Sequence, residues 1–243
     1  MRNTEFFKFE NKNDDFPFYN GKPFYLTAIQ SLFLLIIPIL SIIIFDYMGE
    51  LIPSFISPFI NIIIPLGIFI IFTKSSWTKL FRKIKLKDIK LIVIVLIVNY
   101  FVTMLVAILM TKITSVGLNP AVDIIKGNTQ FENVVFFAKT IPMLFGEELI
   151  TIIPFLVVLQ LATKTFKLSR KKGIILAWII TALIFGAIHL PTYNWNIIQA
   201  ILGISVVRLV LTYPYIKTKN LWISFFVHVL NDWILLLPVL LAK

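Results

Sequence analysis

Seven long apolar stretches, near residues 25–45, 54–73, 90–110, 133–161, 173–190, 197–214 and 221–241, constrain this chain more than any other feature. A helix needs about 20 mostly apolar residues to cross roughly 30 Å of hydrocarbon. Within lipid the backbone must satisfy its own hydrogen bonds, which stretches of this length do as helices. The expected fold class is an all-α membrane protein, a bundle of seven transmembrane helices around an intramembrane polar site. The fourth stretch contains Pro142 and Pro154 and would run about 43 Å at 1.5 Å per residue. If it begins as a separate interfacial helix, the count becomes eight.

Composition agrees with the membrane reading: 58% of residues are hydrophobic and 14% charged, against roughly 25% charged in soluble domains. The formal charge of +11 would suggest nucleic-acid binding in a soluble chain. Here Lys and Arg concentrated in cytoplasmic loops explain it, and no nucleic-acid partner is expected. Taken loop by loop, eighteen Lys and Arg fall on the side of the N-terminus and three on the other. That asymmetry puts the N-terminus in the cytoplasm, with no cleavable signal layout ahead of the first span. The basic loop 74–90 is expected to lie against anionic head groups. The organisation expected is a cytoplasmic segment 1–24, N-terminal helices with the basic loop over 25–132, and a helical core over 133–243. With no cysteine in the chain, thiolate metal sites, cysteine nucleophiles and disulfides are excluded. The Ile, Lys, Asn and Phe bias fits an AT-rich bacterial genome, hence a bacterial cell membrane.

Ionisable side chains inside spans cost at least about 2.5–3.5 kcal/mol on insertion scales, which makes each one retained a functional candidate. Glu147 and Glu148 sit adjacent near the middle of the fourth stretch, and the fifth ends in Phe185-Gly186-Ala187-Ile188-His189. Arg208 lies in the sixth, and the seventh carries His228 followed by Asn231 and Asp232. Each of these groups would need separate satisfaction away from water, so one shared cluster is the cheaper solution. His228 and Asp232 are four apart and share a helical face, as do Phe185 and His189. Glu147 and Glu148 are about 100° apart around their helix, so only one can point straight into a site. Ala182 and Gly186 form a small-x-x-x-small pair that lets a neighbouring helix approach closely. A carboxylate base with a partner imidazole can activate water. Two histidines and a carboxylate could instead hold zinc, although the His-Glu-x-x-His signature is absent. The same residue types also build proton relays in transporters.

These residues resemble the CAAX protease and bacteriocin-processing family of intramembrane proteases, also called Abi. Its Glu-Glu-x-x-x-Arg motif corresponds to Glu147 and Glu148, its Phe-x-x-x-His to Phe185 and His189, and its His-x-x-x-Asn/Asp to His228 and Asp232. The resemblance covers residues 133–241 or so and implies hydrolysis of membrane-associated peptides, for maturation or bacteriocin self-immunity. It further implies that Glu147 and His189 activate water, that His228 and Asp232 lie near the oxyanion, and that no metal cofactor takes part. The chain departs from the motif at Ile152, where the family has Arg. Arg208 sits at a similar depth and either supplies the missing charge to Glu148 from another helix or snorkels to the cytoplasmic head groups. A non-catalytic immunity or scaffold protein is the competing class. Depth sets one more expectation: His189 and His228 would differ by about 13 Å along the membrane normal unless the fifth helix starts as early as Ser169–Lys172.

Overall fold

The computed structural model describes residues 6–48, 51–53 and 55–242, all helix or connection, with no strand among them. Arg2 and Lys243, both included in the charge asymmetry above, lie outside the described residues. The helices are α1 Ala28–Met48, α2 Ile60–Thr73, α3 Leu86–Ile113, α4 Ala121–Gly127, α5 Gln130–Gln160, α6 Arg170–Ile188, α7 Ser205–Thr218 and α8 Leu221–Leu241. Among the described residues, six helical stretches are long and apolar enough to span a membrane, and the helix from Ala28 adds a shorter apolar one. The fourth apolar stretch is not split: α5 runs unbroken through both prolines, and α4 is a separate short helix ahead of it.

Several helices extend past the apolar stretches because capping side chains recruit polar residues into their first turns. Thr129 and Glu132 close a capping box on α5, with Thr129 N donating to Glu132 Oε2 at 2.7 Å. Lys85 N donates to Asp88 Oδ2 at 2.8 Å and starts α3 at Leu86. Ser169 caps α6, accepting from Lys172 N, so this helix starts at Arg170, within the early start expected. Two π-helical segments, Leu161–Thr165 and Ile198–Ile204, extend α5 and precede α7.

α5 is the axis of the molecule. Every residue from Glu148 to Gln160 is buried, packed against α2, α6 and α8. α3, by contrast, exposes Ile89, Val93, Ile97, Phe101, Leu105 and Ile108, as a lipid-facing helix does.

Residues 6–27 fold over one end of the bundle and bind the loops that gather there. Arg170 Nε donates to Glu10 Oε1 at 3.0 Å, and Lys219 Nζ lies 2.9 Å from Glu10 Oε2, all three side chains being buried. Arg82 pairs with Asp14 at 2.9 Å, and Gln160 holds the backbone of Leu26 through both ends of its amide. The four basic segments therefore share one face. At the opposite end, Asn196 Nδ2 donates to Thr114 Oγ1 at 2.9 Å, and Gln199 brackets the backbone of Gly117.

Candidate active site

Four of the five ionisable residues expected to act in the site, Glu147, Glu148, His228 and Asp232, converge between α5 and α8, joined by Arg208 from α7. Glu148 is fully buried, and Arg208 Nη2 approaches its Oε1 to 2.8 Å. His228 Nδ1 lies 2.9 Å from the same oxygen. An ionised carboxylate only accepts, so Nδ1 carries a proton and donates it to Glu148. The 3.3 Å approach of Arg208 Nη1 to that nitrogen is then a packing contact and not a bond. Arg208 Nη2 meets the charge of Glu148 without hydrogen-bond alignment, and Glu148 Oε2 and Arg208 Nε are buried without an aligned hydrogen bond.

Phe185 supplies the other face of the arginine, whose guanidinium carbon stands 4.4 Å from the ring centroid. This cation–π contact gives the motif aromatic a physical task beyond packing. Arg208, one of whose two expected roles is to substitute for the missing motif arginine, thus reaches Glu148 from another helix. Ile152 is fully buried among apolar side chains of the core.

The other nitrogen of His228 faces the two accessible carboxylates. Nε2 is 3.8 Å from Glu147 Oε2 and 3.9 Å from Asp232 Oδ2, and those two side chains are 15% and 33% exposed. The exposure separates the glutamates: Glu148 is locked inside and Glu147 opens to the site. Asp232 is steadied by Asn231, whose Nδ2 donates to its Oδ1 at 2.9 Å, and Asn99 Nδ2 donates to Asn231 Oδ1 at 2.7 Å.

His189 stands beside this cluster. It is the residue that ends α6, and its Nδ1 lies 2.7 Å from Phe185 O. Since a carbonyl only accepts, Nδ1 carries a proton, which leaves Nε2 as the nitrogen turned away from the Phe185 carbonyl. The Phe185 ring lies between the two imidazoles, with centroids 4.5 Å from His189 and 6.3 Å from His228. Among the described residues His189 makes no hydrogen bond to the carboxylates, because the helix end turns its ring onto the carbonyl of Phe185. No three His, Asp or Glu side chains among the described residues gather at ligand spacing.

Two participants carried no signal in the sequence. Asn99 is a buried amide in an apolar helix, and Tyr193 lies on the turn Pro191–Tyr193 after α6. The backbone N–H of Tyr193 donates to His189 O at 3.3 Å, which ties it to the histidine. Burial, then the charges of Asp232 and Glu147, push the Tyr193 phenol up to about 12, so it stays a protonated donor. A groove of about 800 Å³, lined by Asn133, Phe137, Ile141, Trp233 and Leu240, runs between α5 and α8.

Residues 130–234 match the family described as type II CAAX prenyl endopeptidase Rce1-like. This core is similar to the Rce1-like family. The match contains all three motifs and Arg208, and it supports a CAAX-type intramembrane protease. No curated protein and no solved structure gives a match. The Rce1-like core comprises α5 to most of α8, the elements that carry the polar cluster, while α1 to α4 lie outside the match and buttress it.

Proposed function

We propose that this chain is an endopeptidase of the bacterial cell membrane that hydrolyses membrane-associated peptides with a glutamate-activated water. The observation that carries the reading is the 3.8 Å gap between Glu147 Oε2 and His228 Nε2, beside a Glu148 already committed to Arg208 and His228. A water in that gap can bond both groups at once. Glu147 takes a proton from the water as its oxygen bonds to the substrate carbonyl carbon. His228, carrying protons on both ring nitrogens among Glu148, Glu147 and Asp232, donates Nε2–H to the oxyanion that develops, as does the Tyr193 hydroxyl. Protonated Glu147 then passes its proton to the amide nitrogen as the C–N bond breaks. His189, through Nε2, accepts a hydrogen bond from the attacking water or from the bound peptide. Peptide maturation and bacteriocin self-immunity are the roles that fit.

The test is cleavage of lipidated or amphipathic peptides by purified wild type and by Glu147→Gln. Loss of a general base lowers kcat by about 10²–10⁴. Equal cleavage by both proteins rejects the mechanism, and an intact cellular phenotype with Glu147→Gln favours a non-catalytic immunity or scaffold protein. The chemistry is proposed to need no metal: chelators leave activity unchanged and elemental analysis finds far less than stoichiometric zinc. Zinc lost together with activity would reverse that assignment.

A further inference from the structure

The polar cluster is closed toward one end of the bundle and open toward the other. From Glu148 to Gln160, about 18 Å of helix at 1.5 Å per residue, α5 is buried without interruption. Phe155, Tyr215, Ile216, Leu221 and Phe225 fill this region, and Phe16 and Phe18 of the N-terminal segment cover its end. Beyond them the buried ion pairs of Glu10 with Arg170 and Lys219 hold that cover down. Water or peptide would have to displace the packed core to reach Glu147 from this end.

Toward the other end the packing loosens. Glu147 and Asp232 are partly exposed, and His189 and Tyr193 border them on the connection after α6, where Pro191, Thr192, Asn194 and Trp195 are exposed. Apart from Lys139 within α5, only Lys112 and Lys126 lie toward this end among the described residues, whereas the sealed end carries the basic segments. Loops rich in Lys and Arg stay in the cytoplasm.

We infer that the site opens to the extracytoplasmic side of the membrane and takes peptide segments presented there, such as translocated peptides or the outer parts of membrane-anchored ones. The inference rests on the proteolytic reading above for its substrate class and on charge and packing for its sidedness, so the two can fail separately. The N-terminal segment acts as the cytoplasmic seal.

The chain has no cysteine, which makes single-cysteine labelling clean. Leu118→Cys and Thr192→Cys should react with a membrane-impermeant maleimide in intact spheroplasts, and Lys172→Cys only after lysis. In parallel, an impermeant quenched fluorogenic peptide library, with and without prenylated cysteine, is added to right-side-out and inside-out vesicles carrying wild type or Glu147→Gln. Cleavage by wild type in right-side-out vesicles, absent with Glu147→Gln, is the expected result. The reverse labelling pattern overturns the sidedness and leaves the protease reading in place. Cleavage confined to inside-out vesicles, or to detergent-solubilised protein, overturns the outward access. Cleavage in no preparation overturns the proteolytic reading and this substrate class with it.

Discussion

Arg208 and Glu148 are both fully buried, and taking two charges out of water costs several kcal/mol per ion unless each answers the other. The costs are asymmetric. Arg208→Ile leaves a buried carboxylate uncompensated and should destabilise the protein by about 3–5 kcal/mol, read as a lowered melting temperature in detergent. Arg208→Lys should recover part of this, since an ammonium keeps the charge but loses the planar stacking on Phe185. Glu148→Met with Arg208→Met should melt near wild type, because apolar replacements of a buried pair are often neutral, yet remain inactive because His228 has lost its anchor. If both single variants melt like wild type, the pair does not matter for folding. Tyr193→Phe removes one oxyanion donor and should lower kcat about 10²–10³-fold with little change in KM; an unchanged kcat would place the phenol outside the reaction. At this scale the sequence was informative wherever a charge had no cheap solution in hydrocarbon. Arg208 was readable for that reason, with Glu148 as one of its two expected destinations. Asn99 and Tyr193 were not, since neither a single amide in an apolar helix nor a tyrosine in a turn violates any expectation.

Glycine decides how closely the elements bearing these residues approach. A Cβ on Gly186 would fall 2.3 Å from Ser205 Oγ and 2.5 Å from Ala200 O, so α6 touches the backbone of the π-helical segment Ile198–Ile204. The Ala182–Gly186 spacing announced such an approach; the sequence could not say that the neighbour would be a π-helical segment. Irregular turns of this kind recur at functional sites, and here the segment leads directly into α7 and Arg208. Gly186→Ala should cost about 1–3 kcal/mol through overpacking. Because Phe185 is its neighbour and His189 follows within one turn, catalysis should fall by more than the stability loss explains. The check is kcat measured well below the melting temperature; an active, destabilised variant would show that the site tolerates a shifted α6. Span edges were legible only to within a turn, since hydropathy stops where polar residues begin. Helices stop where their caps are, which is why α3 begins at Leu86 and α6 at Arg170.

Across the whole molecule, the N-terminal segment was visible in the sequence as a polar stretch of mixed charge, and its part in closing the bundle was not. The seven aromatic residues of segment 1–24 follow neither a helical nor a strand period, yet Phe16 and Phe18 are among the most buried side chains. Glu10 is the acid that fixes this segment. Burial works to raise its pKa, but the hydrogen bonds and charges of Arg170 and Lys219 override that and hold it below the usual 4.5. A carboxyl whose folded pKa is lowered contributes stability that is fully present above the unfolded value and fades as pH falls through the folded one. Melting temperature in detergent should therefore hold between pH 7 and about pH 5 and drop below about pH 4.5 as the Glu10 contribution is lost. Glu10→Gln leaves Arg170 and Lys219 buried with their shared anion gone, so at pH 7 it should cost about 3–5 kcal/mol. Its own melting curve should lose much of the acid sensitivity seen in wild type, because the titrating group has been removed. A Glu10→Gln protein with the same melting temperature at pH 7 and the same acid sensitivity would show that the segment is held by its aromatic contacts alone, with Glu10 contributing nothing to the seal.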